Sequence, residues 1–166
     1  MIETMNQDEF VVELKQLRCE ADWHVRYYSE RSRKYHRIDY WLKSIIGLFA
    51  IFGMFLAANP ETQIYGTAIA AFCALLMANI LPIFKWDGII TGFKEEEQDW
   101  TRIRNGYQDL LRVTAIADRG EILLQEFQKV REMQNMAALN DRHLPQDPQL
   151  LDNKEAEVRK FYNLDP

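Results

Sequence analysis

YWLKSIIGLFAIFGMFLAANPETQIYGTAIAAFCALLMANILPIF, residues 40–84, is the stretch on which the fold of this chain turns. From Ser44 to Pro60, and again from Thr62 to Phe84, there is no Asp, Glu, Lys or Arg, whereas both flanks are densely charged. A helix needs about 20 mostly apolar residues to cross a hydrocarbon layer of roughly 30 Å. The second run has 23 residues, which at about 1.5 Å each reach roughly 34 Å. The first is completed by Tyr40, Trp41 and Leu42. Lys43 can lift its ammonium to the headgroups while its stem stays apolar. The expected fold is all-α, with a transmembrane hairpin over residues 40–86 and spans at about 41–59 and 63–84. The connection Asn59-Pro60-Glu61-Thr62-Gln63 is a tight turn, so the two helices run antiparallel. Two such runs buried in a soluble protein would need more surrounding chain than the rest of these 166 residues supplies.

The flanks orient the hairpin. Between Arg26 and Lys43 lie Arg26, Arg31, Arg33, Lys34, Arg37 and Lys43, against Glu30 and Asp39. The turn between the runs carries no Lys or Arg, and Lys85 and Lys94 follow the second run. An excess of basic residues marks the cytoplasmic side, so both termini are expected in the cytoplasm and the hairpin in the inner (plasma) membrane. Tyr40, Trp41 and Trp86 suit the inner interface and Tyr65 the outer one. Arg31, Arg33, Lys34, Arg37 and Lys43 are expected to lie against anionic headgroups. The first forty residues hold no short apolar stretch behind a basic start, and no cleavable signal is expected.

Helices in lipid associate by close backbone approach past small side chains. The second run offers Gly66, Ala70, Ala74 and Ala78 at four-residue intervals; the first offers Gly47, Ala50, Gly53 and Ala57. These stripes are expected to meet, within one hairpin or between copies, leaving Phe49, Phe52, Phe55, Phe72, Leu75 and Leu76 towards lipid. The uncharged runs contain few polar residues. Thr67 and Asn79 are the candidates for a pore lining or gate. Asn79 has a second reading, since it stands three residues before Pro82, whose ring frees a helix carbonyl that the amide can satisfy. With no charge inside the runs, a proton relay or ion-coupled site has no support.

Before the first run, Phe10, Leu14, Leu17, Ala21, His24, Tyr28, Arg31 and Tyr35 recur at spacings of four and three, a heptad-like seam. No proline falls between Gln7 and Leu56, so this cytosolic helix (residues 1–39) is expected to run straight into the first span. After a bend at Trp86-Asp87-Gly88 and Thr91-Gly92, residues 87–141 read as one long helix. Its seam is Trp100, Ile103, Tyr107, Leu110, Thr114 and Ala117, slipping by three near Gly120 and resuming at Leu123, Phe127 and Val130. Residues 142–166, with Pro145 and Pro148, read as a loose tail with one short helix over 152–162. Narrow seams need partners, so the long helices are expected to form a coiled-coil-like bundle, with each other or with those of further copies. Arg18, Glu20, Asp22 and Glu96, Glu97, Asp99 would set partner choice.

A net charge of −5 and a pI near 5.3 argue against nucleic acid as a partner. Cys19 and Cys73 fall in different solvents on this reading, so no disulfide within the chain is expected. There is no glycine-rich phosphate loop, no Cys-x-x-Cys and no His-Glu-x-x-His. His24, His36 and His143 are scattered, and the carboxylates of Glu95-Glu-Glu-Gln-Asp99 point around a helix rather than converging. No enzyme activity, cofactor or metal is expected.

The sequence Tyr27-Tyr28-Ser-Glu-Arg-Ser-Arg-Lys-Tyr35-His-Arg-Ile-Asp-Tyr40, leading directly into a two-span hairpin and then a long helix, resembles the SLATT family. These are small two-span bacterial effectors associated with nucleotide-second-messenger and other anti-phage conflict systems. The likeness covers roughly residues 8 to 140. It implies a non-enzymatic oligomer that opens a pore or disrupts the inner membrane when a cytosolic sensor protein detects infection. The alternative is a non-conducting anchor whose cytosolic coiled coil recruits a partner protein.

Overall fold

The structure, a computed structural model, describes residues 7–114, 120–140 and 143–162. These residues are helical almost throughout, with no strand among them. Helix α1 runs unbroken from Gln7 to Ala57, α2 covers Gln63–Leu75, α3 Trp86–Thr114, α4 Gly120–Asn140 and α5 Pro148–Phe161. The chain divides into an apolar unit, Ser32–Thr91, and a polar unit made of Met1–Arg31 and Gly92–Pro166; α1 contributes to both.

In the apolar unit, α1 ends where Pro60 cannot extend it. The Thr62 amide bonds the Asn59 carbonyl at 3.1 Å, and the Thr62 hydroxyl reaches back to the Leu56 carbonyl at 2.7 Å. The Asn59 side chain accepts from the Glu61 amide at 3.2 Å, the local bond that makes asparagine a turn residue. Helix α2 returns antiparallel along α1. Its continuation is irregular: a π turn over Leu76–Ile80 and a 3-10 turn over Leu81–Phe84. Pro82 explains the change, because it has no N–H to offer a regular ladder. The Leu81 amide bonds five residues back, to the Leu76 carbonyl. Lys85 then takes a left-handed conformation (φ 47°) and its carbonyl accepts from Ile89 at 3.1 Å to open α3. The bend therefore falls at Lys85, and Gly88 and Gly92, where the sequence suggested it, lie inside α3.

In the polar unit, α1 and α3 run antiparallel. His24 stacks on Trp100 (3.7 Å), Tyr28 meets Phe93 (6.2 Å), and Arg104 pairs with Asp22 (3.0 Å). The seams expected from spacing supply the core: Phe10, Leu14, Leu17 and Ala21 are buried, as are Trp100, Ile103, Tyr107, Leu110 and Thr114. Ala117 lies outside the described residues. The expectation of a single helix over 87–141 needs correction. Gly106 meets Val130, and the Tyr107 hydroxyl and Gln134 Oε1 are 2.5 Å apart. In one straight helix, residues 106 and 130 would stand roughly 36 Å apart at 1.5 Å per residue, so α3 and α4 lie side by side. Thr114 bonds the Leu110 carbonyl at 2.7 Å in the last turn of α3. The loose tail needs correction too. Asp147 caps α5 by accepting from the Leu150 amide, Pro148 stands in its first turn, and its Val158 is fully buried.

Candidate functional site: the apolar hairpin and its basic approach

Two helical stretches, Asp8–Ala57 and Gln63–Thr114, are long and apolar enough to cross a membrane. Their best 18-residue windows have mean hydropathies of 1.7 and 2.1, and only 11% and 12% of those windows are buried. A core helix of a soluble protein would be mostly buried. Leu48, Ile51, Phe52, Phe55, Ile64 and Phe72 instead stand more than half exposed.

Of the small residues picked out by spacing, the hairpin brings Gly53 and Ala57 onto Gly66 and Ala70. A Cβ on Gly66 would fall 2.5 Å from the Gly53 carbonyl oxygen and would also strike the Ala57 backbone. A Cβ on Gly53 would sit 2.9 Å from the Ala70 nitrogen. The two backbones touch here because neither glycine has a side chain. Towards the other end the seam changes character. Ile46, Cys73 and Leu81 are buried together, with Leu42, Ala50, Ile69 and Leu76 packed against them. Ala74 and Ala78 are exposed, and Gly47 has nothing within 4 Å of a would-be Cβ. Those three are therefore outside the hairpin's internal seam. A strict four-residue interval drifts around a helix of 3.6 residues per turn, so the contact moves from Gly66 and Ala70 to Cys73 and Leu76. Leu76, expected on the lipid side, turns inward for the same reason. Phe49 and Phe72 flank an apolar groove of about 590 Å³ with Ile45 and Ala68.

The candidate gate residues are both exposed, and both bond their own helix. The Thr67 hydroxyl donates to the Gln63 carbonyl and the Asn79 amide to the Leu75 carbonyl at 3.4 Å. Asn79 thus serves the backbone, though at Leu75 rather than at Ala78, the carbonyl four residues before Pro82.

Among the basic residues, Arg33, Lys34, Arg37 and Lys43 are exposed, and Lys43 is bonded to Asp39 at 2.7 Å. Asp39 itself is buried, so it is more than an opposing charge in the basic stretch. Arg31 corrects the expectation of a headgroup contact. It is 4% exposed, pairs with Asp147 at 3.1 Å, donates to the Pro145 carbonyl at 2.7 Å and lies over Phe93. Its place in the four-and-three spacing, three residues after Tyr28, pointed inward, and that signal outweighs its charge.

The polar unit contains further groups shifted by burial. His24 is sandwiched between Trp23 and Trp100, each 3.7 Å away, and burial pulls its pKa down to about 3. Burial likewise pushes the Tyr107 phenol up to about 12, so it stays protonated opposite Gln134, and it raises the Cys19 thiol. Both cysteines are free. Among the described residues no three His, Cys, Asp or Glu side chains converge as metal ligands. No family model, curated protein or solved structure matches the chain.

Proposed function

We propose that this chain is a two-span inner-membrane effector, oligomeric, with both termini in the cytoplasm, that permeabilises or depolarises the membrane when triggered from the cytosol in anti-phage defence. The observation that carries the membrane part is the pair of apolar windows of which barely a tenth is buried. In water, so much exposed Phe, Ile and Leu would be an aggregation surface; in lipid it is the ordinary exterior of a helical hairpin. Orientation rests on the exposed Arg33, Lys34 and Arg37. The effector part rests on the resemblance of the Tyr/Arg-rich approach, hairpin and long helix to SLATT proteins. Lipid and further copies of this chain are the partners on this reading, together with a cytosolic sensor protein; nucleic acid is not. The exposed Ala74 and Ala78, and Gly47 with open space beside its Cα, are free for contacts between copies. A resting pore through such apolar helices would be closed by dewetting.

The test is expression in bacteria with a potential-sensitive dye. Depolarisation on high expression or on triggering supports the effector; unchanged polarisation under every trigger sinks it.

A second reading, a non-conducting anchor, is favoured by one observation: Thr67 and Asn79 bond their own backbone. Replacing residues 40–86 by an unrelated two-span hairpin separates the two. An anchor keeps its function after the exchange, whereas an effector loses it.

A further inference from the structure

Within the polar unit, segment 143–162 touches α1 and α3 at the two places where the chain leaves that unit and comes back. Arg31 is the last residue of that unit on α1, and Gly92 the first after the apolar unit. The short stretch ahead of α5 contacts both. Leu144 lies on Gly92, where a Cβ would come within 2.8 Å of Leu144 Cδ2. Pro145 and Asp147 take the Arg31 guanidinium through two oxygens, at 2.7 and 3.1 Å. The Asp147 amide donates to the Tyr27 hydroxyl at 2.9 Å. Phe93, the residue after Gly92, lies beneath Arg31. From there α5 runs antiparallel along α1. Lys154 pairs with Glu30 at 2.9 Å, Glu157 with Arg26 at 3.0 Å, and Arg26 and Arg18 lie over the rings of Phe161 and Tyr162.

The chemistry of this contact differs from that of the rest of the unit. Helices α1, α3 and α4 meet through Leu14, Trp100, Ile103, Tyr107 and Phe127, all buried. Helix α5 buries Val158, while its Phe161 is 68% exposed, and its ion pairs are half-open to water apart from Arg31. Solvent-exposed ion pairs hold weakly and are screened by salt. Elements with few buried apolar contacts open first.

We propose that residues 143–162 form a releasable clasp that pins α1 to α3 at Arg31 and Gly92, and that its release is the step that frees the hairpin to act. The clasp stands on the contacts above; its regulatory consequence rests on the depolarising reading under Proposed function.

The experiment uses the full chain in detergent micelles for hydrogen exchange, and in cells for membrane potential. Asp147→Asn removes the charge facing Arg31 while an asparagine can still cap α5. Gly92→Leu drives Leu144 off α3 and serves as an independent second variant. In the wild type, amides of 150–161 should exchange at least about ten-fold faster than those of 127–137, and faster again in high salt. Each variant should accelerate 150–161 by a further factor of about ten with 127–137 unchanged. If both variants leave α5 protected, or if α4 and α5 accelerate together, there is no separate clasp. In cells at matched expression, Asp147→Asn should depolarise without a trigger. If the wild type can be driven to depolarise and the variant behaves identically, the regulatory step is overturned. If neither ever depolarises, the effector reading falls, and the exchange result alone decides the clasp.

Discussion

Helix α1 meets its neighbours in two different ways along its length. Around Gly53 and Gly66 two backbones come together because side chains are missing; between Phe10 and Tyr28 it is held by large side chains stacked against Trp100, Phe93 and Phe127. On the membrane reading proposed above, the solvent accounts for the difference. In water, burying a Trp or Tyr removes 150–250 Å² of surface from solvent (roughly, per ring) and is strongly favourable. In lipid that gain vanishes, and packing is improved instead by letting backbones approach. The outward faces invert in parallel, with bulky apolar residues in the apolar unit and charged ones in the polar unit.

The comparison can be broken by exchanging side-chain size. Trp100→Ala should destabilise the polar unit by about 3–5 kcal/mol, read as loss of helical signal on heating or denaturant titration. Gly66→Leu should cost about 3 kcal/mol or more in the apolar unit, where no space exists for even a Cβ. A thermal melt in micelles checks it, and a tolerated leucine would mean that the hairpin seam is not where the structure puts it.

Protons sharpen the contrast. His24 titrates near 3 when folded, against about 6.5 when unfolded. Between these values the unfolded chain binds more protons, so the stability present above pH 6.5 is lost as the pH falls towards 3. Acidification from pH 7 to 5 should therefore weaken the polar unit by about 2 kcal/mol. His24→Phe should flatten that dependence.

Tyr107→Phe should cost about 1–2 kcal/mol by leaving Gln134 without its buried partner, measured as a shift in the denaturation midpoint. Smallest of all, Ala74→Leu should change hairpin stability by less than about 0.5 kcal/mol, since Ala74 is exposed. Its effect should be on activity in cells, through contacts between copies. A stability loss as large as that of Gly66→Leu would place Ala74 in the internal seam.

How much of this was legible in the chain follows the same division. The polar seam was readable because Phe10, Leu14 and Leu17, and Trp100, Ile103 and Tyr107, are large apolar residues repeating among charges. The small-residue seam was half readable: Gly53, Ala57, Gly66 and Ala70 meet, but Gly47, Ala74 and Ala78 do not. In a run of alanines, every face looks alike. The π turn was not readable, because Pro82 announces an interruption without saying how the ladder closes around it. Arg31 misled by its charge. Its partners, Pro145 and Asp147, lie more than a hundred positions away, and only the folded chain brings them near.

What the sequence alone determined is where the apolar and the charged residues are gathered along the chain, and which helical face of the polar unit is buried. Those properties depend on composition and on the 3.6-residue period, and both are local. The tertiary structure decided the rest. It set α3 beside α4, drew α5 onto α1, and buried Arg31 between Asp147 and Phe93. Such pairings depend on the relative energies of contacts between distant segments, and no local pattern encodes them.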